Sequence, residues 1–352
     1  MRESKSDNKL FLLGLSLIAL IASVPSGQSV ARGGVIFNFS GGGLDGGSRW
    51  DAAPRTIFGV ERSLDGGLRY SLEGGTYQSF RDLFSWFGGV PTVGAFQSAV
   101  DQAFNVWTAV DPGTSLPAPF NFVSDLGTPV NAGIVGGLRL GAEIDVFAQD
   151  LGDNGTRGFS FFDAVGGPVT LTSGTTGYGG FAISGADITL NSNAGALYTL
   201  DLFRRLLTHE IGHAIGLGDV EGSINPGAFI DDDYDGTNSA TAQATLNNSW
   251  SALVDPLNPG ESAGLNRYTV LFADPGTTTA GVDILMESNG LGIGAGNPLS
   301  SLMPLTNDDF GTRQFLYPAI SASSNNSAVP EPGTLTLCGL ALAMLIQRRK
   351  KR

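Results

Sequence analysis

The run Thr208-His209-Glu210-Ile211-Gly212-His213-Ala214-Ile215-Gly216-Leu217-Gly218-Asp219 constrains this chain more than any other stretch, because it holds both histidines of the 352 residues. Four positions on a helix are about one turn, so the two imidazoles share a face and can grip one metal ion together. Glu210, beside the first of them, can hold a water molecule against such an ion. Gly216 can take a positive φ, end the helix and turn the chain back. That turn brings Asp219 toward the ion as a third, oxygen ligand, with Glu221 the next nearest carboxylate. The run Leu202-Phe203-Arg204-Arg205-Leu206-Leu207 packs one side of the same helix and solvates the other, which places it from about Leu200 to Leu217. The plain alternative is a helix with two ordinary histidines and a glycine cap.

The two ends of the chain read as addresses. Arg2, Lys5 and Lys9 precede an apolar run from Leu10 to Ala22, and Ser29-Val30-Ala31 offers small residues for cleavage. This is the pattern of a secretory signal peptide over 1–31. At the other end, Val329-Pro330-Glu331-Pro332 precedes an apolar stretch from Gly333 to Ile346 and then Arg348-Arg349-Lys350-Lys351-Arg352. That order resembles the PEP-CTERM sorting signal of Gram-negative bacteria. The resemblance implies an exosortase-type processing enzyme as a partner, a basic end kept cytoplasmic, and membrane contact through 329–352 alone. The apolar stretch is shorter than the roughly 20 residues a spanning helix needs. The net charge of −13 argues against nucleic-acid binding, which needs a basic footprint. Fifty-one glycines and 15% charged residues suit a loop-rich exported protein. Cys338, the single cysteine, lies in the C-terminal signal, so the rest of the chain forms no internal disulfide.

The metal-binding run resembles the metzincin metallopeptidases, whose signature is H-E-x-x-H-x-x-G-x-x-H. Here Asp219 stands at the last position. The resemblance extends to Asp308-Asp309-Phe310-Gly311-Thr312-Arg313-Gln314-Phe315-Leu316-Tyr317, which is similar to the D-D-x-x-G-x-x-x-L-Y helix of matrixins. It implies a methionine packed under the metal. Met286 and Met303 are the candidates: Met303-Pro304 looks better locally, and spacing before Asp308 favours Met286. The front of the chain fits too. Gly67–Leu72 reads as an opening strand, and Val100, Ala103, Phe104 and Trp107 form one helix face in 99–107. Asn121–Val123 and Ala142–Ala148 read as following strands. Ala186–Asn191 alternates as well, and the resemblance makes it the edge strand that lines the substrate groove.

These readings predict an α+β catalytic domain over 67–318. It is expected to be metzincin-like: a twisted mixed sheet with an antiparallel edge strand, packed on a long helix and on the helix bearing the metal ligands. Segment 32–66 is either a propeptide or an extra strand, and 319–328 is a linker. Calcium is a second expected ion, because Asp231-Asp232-Asp233-Tyr234-Asp235-Gly236 matches the start of a calcium loop. Ala242 at position twelve excludes the EF-hand form, and a solvated acidic turn is the other reading of Asp231, Asp233 and Asp235. Asp150–Gly155, with Asp163, is a weaker oxygen-rich segment. The expected activity is zinc-dependent endopeptidase action on protein or peptide substrates at the cell envelope or outside it. His209, His213 and Asp219 then hold Zn2+, Glu210 is the general base, and Gly216 and Met286 are structural. The alternative is a catalytically silent, calcium-dependent surface or matrix protein.

Overall fold

The computed structural model describes residues 35–36, 47–110, 117–153, 155–218, 285–286, 305 and 307–318. The strands, in chain order, are β1 (Val35–Ile36), β2 (Ser48–Arg49), β3 (Thr56–Ile57), β4 (Val60–Glu61), β5 (Leu68–Leu72) and β6 (Phe122–Ser124). They continue with β7 (Ile134–Val135), β8 (Leu138–Arg139), β9 (Ile144–Gln149), β10 (Gly158–Gly166), β11 (Phe181–Asn191) and β12 (Leu217–Gly218). The helices are α1 (Tyr77–Arg81), α2 (Val93–Asn105), α3 (Leu200–Ala214) and α4 (Asn307–Leu316).

The architecture is mixed α and β with a mostly parallel sheet. Its strand order is β10-β11-β9-β5-β6, and β2 pairs with the beginning of β11. β6, β5, β9 and β11 run parallel, β2 is parallel to β11, and β10 is antiparallel to it. The predicted strands near 67–72, 121–123 and 142–148 are therefore present as β5, β6 and β9. The predicted edge is different. Residues 186–191 belong to β11, an interior strand buried along nearly its whole length, and the outer position is taken by β10. Alternation alone does not tell an edge from a centre. What decides it here is the antiparallel return of Gly158–Gly166 over β11, with a register shift between Asp163 and Ala164.

Side chains alternate across this sheet as the pleat requires. Leu68, Tyr70, Leu72, Ile144, Val146, Ala186, Ile188 and Leu190 join the main apolar core. So do Val100, Ala103, Phe104 and Trp107, from α2 and the short 3-10 turn that continues it. The opposite face carries charge. Glu143 receives Arg62 and Arg69, Arg69 also reaches Asp125, and Arg139 pairs with Asp163 and Asp187. Asp145 is sealed beneath the sheet and accepts the backbone N–H groups of Asn131 and Ala142. Burial pushes its carboxyl up to about 7, helped by the neighbouring Asp187 and opposed by those two N–H groups and Arg62. Burial raises Asp187 to about 6 against the pull of Arg139.

Segment 47–66 is part of this body. Trp50, Arg49 and Arg62 are among its most completely buried large side chains, and β2 lies as a short parallel strand beside β11. No helix among the described residues is long and apolar enough to cross a membrane.

Candidate metal centre

Thr199 starts α3 by accepting the Leu202 N–H, and Asp201 in the first turn pairs with Arg204 and Arg205. From Phe203 onward almost every residue is buried, because the helix lies between the sheet and α2. The helix ends at Ala214, three residues before the predicted Leu217. Gly216 is the reason: its φ is +104°, and its N–H bonds to the His213 carbonyl at 2.9 Å. A side chain there would be strained and would overlap the Ser48 carbonyl. The glycine turn read from the sequence is therefore present.

The histidine rings are held from behind. His209 Nδ1 lies 2.6 Å from the Leu285 carbonyl, and His213 Nδ1 lies 2.9 Å from the Leu217 carbonyl. A carbonyl oxygen only accepts, so each Nδ1 carries a proton, and Nε2 is the nitrogen at which a ring in its neutral form offers a lone pair. The two Nε2 atoms are 3.0 Å apart, with the rings perpendicular. Two lone pairs at that separation repel unless a cation, either a proton or a metal ion, lies between them. The carboxylate of Glu210 joins them: ligand atoms of His209, Glu210 and His213 all lie within 4.8 Å of one another. This is the one grouping of His, Cys, Asp and Glu among the described residues that could hold a metal ion.

Glu210 is oriented by the edge strand. Ser160 Oγ donates to its Oε2 at 2.7 Å and to its carbonyl at 3.0 Å. Its Oε1 rests against Gly158, where a Cβ would approach within 2.7 Å. Neither β10 residue was singled out from the sequence. A small residue opposite a buried carboxylate has no linear signature, since 50 positions separate Ser160 from Glu210.

Met286 lies directly under the helix. A Cβ on Gly212 would overlap its sulfur and come within 2.9 Å of Trp107. Trp107 donates from Nε1 to the Thr208 carbonyl at 2.9 Å, which fixes α3 against the end of α2. The buried carboxylate of Asp309, on α4, accepts the N–H groups of Leu285 and Met286, each at 3.3 Å. It thereby sets the Leu285 carbonyl that orients His209. The sequence marked Asp309 through its motif, but not this connection.

Asp219, Glu221, Met303 and the expected calcium ligands Asp231, Asp233 and Asp235 lie outside the described residues. Asp163 pairs with Arg139. The 150–155 loop is tied by its own bonds. Asp150 accepts from Asn193 and Gly152, and Asn191 donates to the carbonyls of Gly152 and Thr156. A scan against protein-family models and a search of curated proteins returned no match to this chain.

Proposed function

We propose that this protein is an exported zinc-dependent endopeptidase. The observation that carries the reading is the pair of Nε2 atoms 3.0 Å apart, each on a ring whose Nδ1 is committed to a carbonyl behind it, with the Glu210 carboxylate alongside. Neutral imidazole nitrogen and carboxylate oxygen are the donors zinc takes, and a carbonyl on the far ring nitrogen is its usual support. His209 and His213 would hold the ion, with Asp219 as third ligand. The resemblance to metzincins in the 209–219 and 308–317 motifs points the same way.

A bound zinc ion supplies Lewis acidity, which makes a water molecule acidic near neutral pH and polarises the scissile carbonyl. The chain's own residues do the rest. Glu210 accepts the proton of the attacking water as the new C–O bond forms, and returns it to the amine nitrogen as the C–N bond breaks. Ser160 keeps that carboxylate turned toward the histidines. An extended substrate would pair with the outer edge of β10, the last strand in the sheet order and the one that touches Glu210.

The test compares the mature chain with its Glu210→Ala variant for peptide cleavage, with zinc measured in both. The expected result is about one zinc per chain in each and cleavage in the parent alone. Cleavage retained by the variant would refute the mechanism. Bound zinc without cleavage in the parent would favour the silent surface-protein alternative.

A further inference from the structure

The end of α3 is held by residues from both ends of the described chain. A helix leaves its last carbonyls without helical partners. Here the Ala214 carbonyl accepts Trp50 Nε1–H at 3.1 Å, and the Ile215 carbonyl accepts the Tyr317 hydroxyl at 2.6 Å. The same hydroxyl oxygen accepts the Trp50 backbone N–H at 3.1 Å, so Trp50 and Tyr317 form one bridge across the helix end. The Ser48 carbonyl presses on Gly216, and Arg49 donates to the Leu316 carbonyl at 3.0 Å. β1 then pairs antiparallel with β12, Val35 opposite Gly218 and Ile36 opposite Leu217. Leu217 is the residue whose carbonyl orients His213.

We infer that β1, together with Ser48–Trp50, is a clamp that positions the metal ligand His213 and so sets the affinity of the site for its ion. The physical link is short. Pairing with β1 and the two capped carbonyls fix the peptide planes from Ala214 to Gly218. Those planes aim the Leu217 carbonyl, and that carbonyl decides which nitrogen of His213 is protonated and where Nε2 points. Partners one step behind a ligand are worth about 10–100-fold in metal affinity. On this inference β1 and Ser48–Trp50 are working parts of the centre. This inference rests on the metal half of the proposed function and is independent of peptide hydrolysis.

Trp50→Phe keeps the bulk and removes the donor, and Tyr317→Phe removes the hydroxyl. Ile36→Pro breaks strand pairing without touching the core bridge. Phe104→Leu, whose ring stacks on Tyr70 at 4.0 Å, serves as a core lesion elsewhere. Zinc affinity is measured on each mature chain by competition with a chromophoric chelator, and the ligand field by the visible spectrum of the cobalt(II) form. The first three variants should lose affinity measurably, with changed cobalt bands, and by at most the about ten- to hundredfold that the Leu217 carbonyl itself is worth as the direct partner of His213. Phe104→Leu should melt earlier with parental affinity and spectrum. If Trp50→Phe does not fold, Ile36→Pro decides. Parental affinity in all three clamp variants would overturn the clamp, and a parent that binds no zinc would overturn the metal centre with it. Zinc binding without peptidase activity would remove the proposed function and leave the clamp standing.

Discussion

On one side of the sheet Ile144, Val146, Ile188 and Leu190 meet an apolar core. On the other, their strand neighbours Asp145 and Asp187 are buried with Glu143 among Arg62 and Arg139. Both sides bury polar groups, but they satisfy them differently. Under the helices the polar groups are few, and backbone carbonyls and N–H groups orient them: Leu285 for His209, Leu217 for His213, and Leu285 and Met286 for Asp309. Across the sheet, charge is met mainly by opposite charge. Backbone partners have fixed positions and so give the two histidine rings fixed directions. Ion pairs hold the sheet's other face and its loops, but each leaves a large penalty if one partner goes.

That contrast can be broken most severely on the charged side. Arg62→Met strips Glu143 of a buried partner and leaves the carbonyls of Arg139 and Gly141 without a donor. Because Arg69 still pairs with Glu143, the expected loss is at most about 3–5 kcal/mol in denaturant unfolding, with zinc affinity unchanged in the folded fraction. A loss below about 1 kcal/mol would mean that the charged face contributes little. On the helix side, Gly212→Ala drives a methyl group into Met286 and Trp107 and should cost about 1–3 kcal/mol. Unlike Arg62→Met, it should also weaken zinc binding, because Leu285 moves with Met286. Asp309→Asn removes one of the two carboxylate acceptors under the Leu285–Met286 turn. About a tenfold loss of zinc affinity is expected there, and unchanged affinity would detach α4 from the metal centre.

The smallest effect per step is the pH dependence that the charged side supplies. The folded chain holds the Asp145 and Asp187 carboxyls up to about 7 and about 6, whereas an unfolded chain releases those protons near 4. The folded state thus binds more protons between these limits. The stability that protonation contributes is complete below about pH 4 and is lost as pH rises through 6 to 7, at no more than about 1.4 kcal/mol per pH unit for each proton. Thermal melts of the metal-free protein should show Tm falling from pH 5 to pH 8, and Asp145→Asn should flatten that slope. A parent whose Tm is level over this range would contradict the buried-carboxylate account.

Much of the helix side was readable in linear order. Periodicity located Val100, Ala103, Phe104 and Trp107 on one face, and alternation located β5, β9 and β11. The spacing of His209, Glu210 and His213 placed the candidate metal-holding group on a single helix, because i to i+4 geometry is local. Gly216 announced the turn that ends it. Composition marked the charge of the chain but not where it is buried. Arg62 and Glu143 are paired across 81 positions and Arg139 and Asp187 across 48, and no local rule links them.

The sequence by itself therefore determined the chemistry on offer: two imidazoles and a carboxylate on one helix, ended by a glycine. Tertiary structure decided how that chemistry is aimed. It put β10 rather than β11 at the edge, set Ser160 on Glu210, and brought Leu285 behind His209. It also closed the Trp50–Tyr317 bridge over the end of the helix. These are contacts between distant segments, fixed by which surfaces pack and which backbone groups must be satisfied once buried, and neither condition is written in the spacing of neighbouring residues.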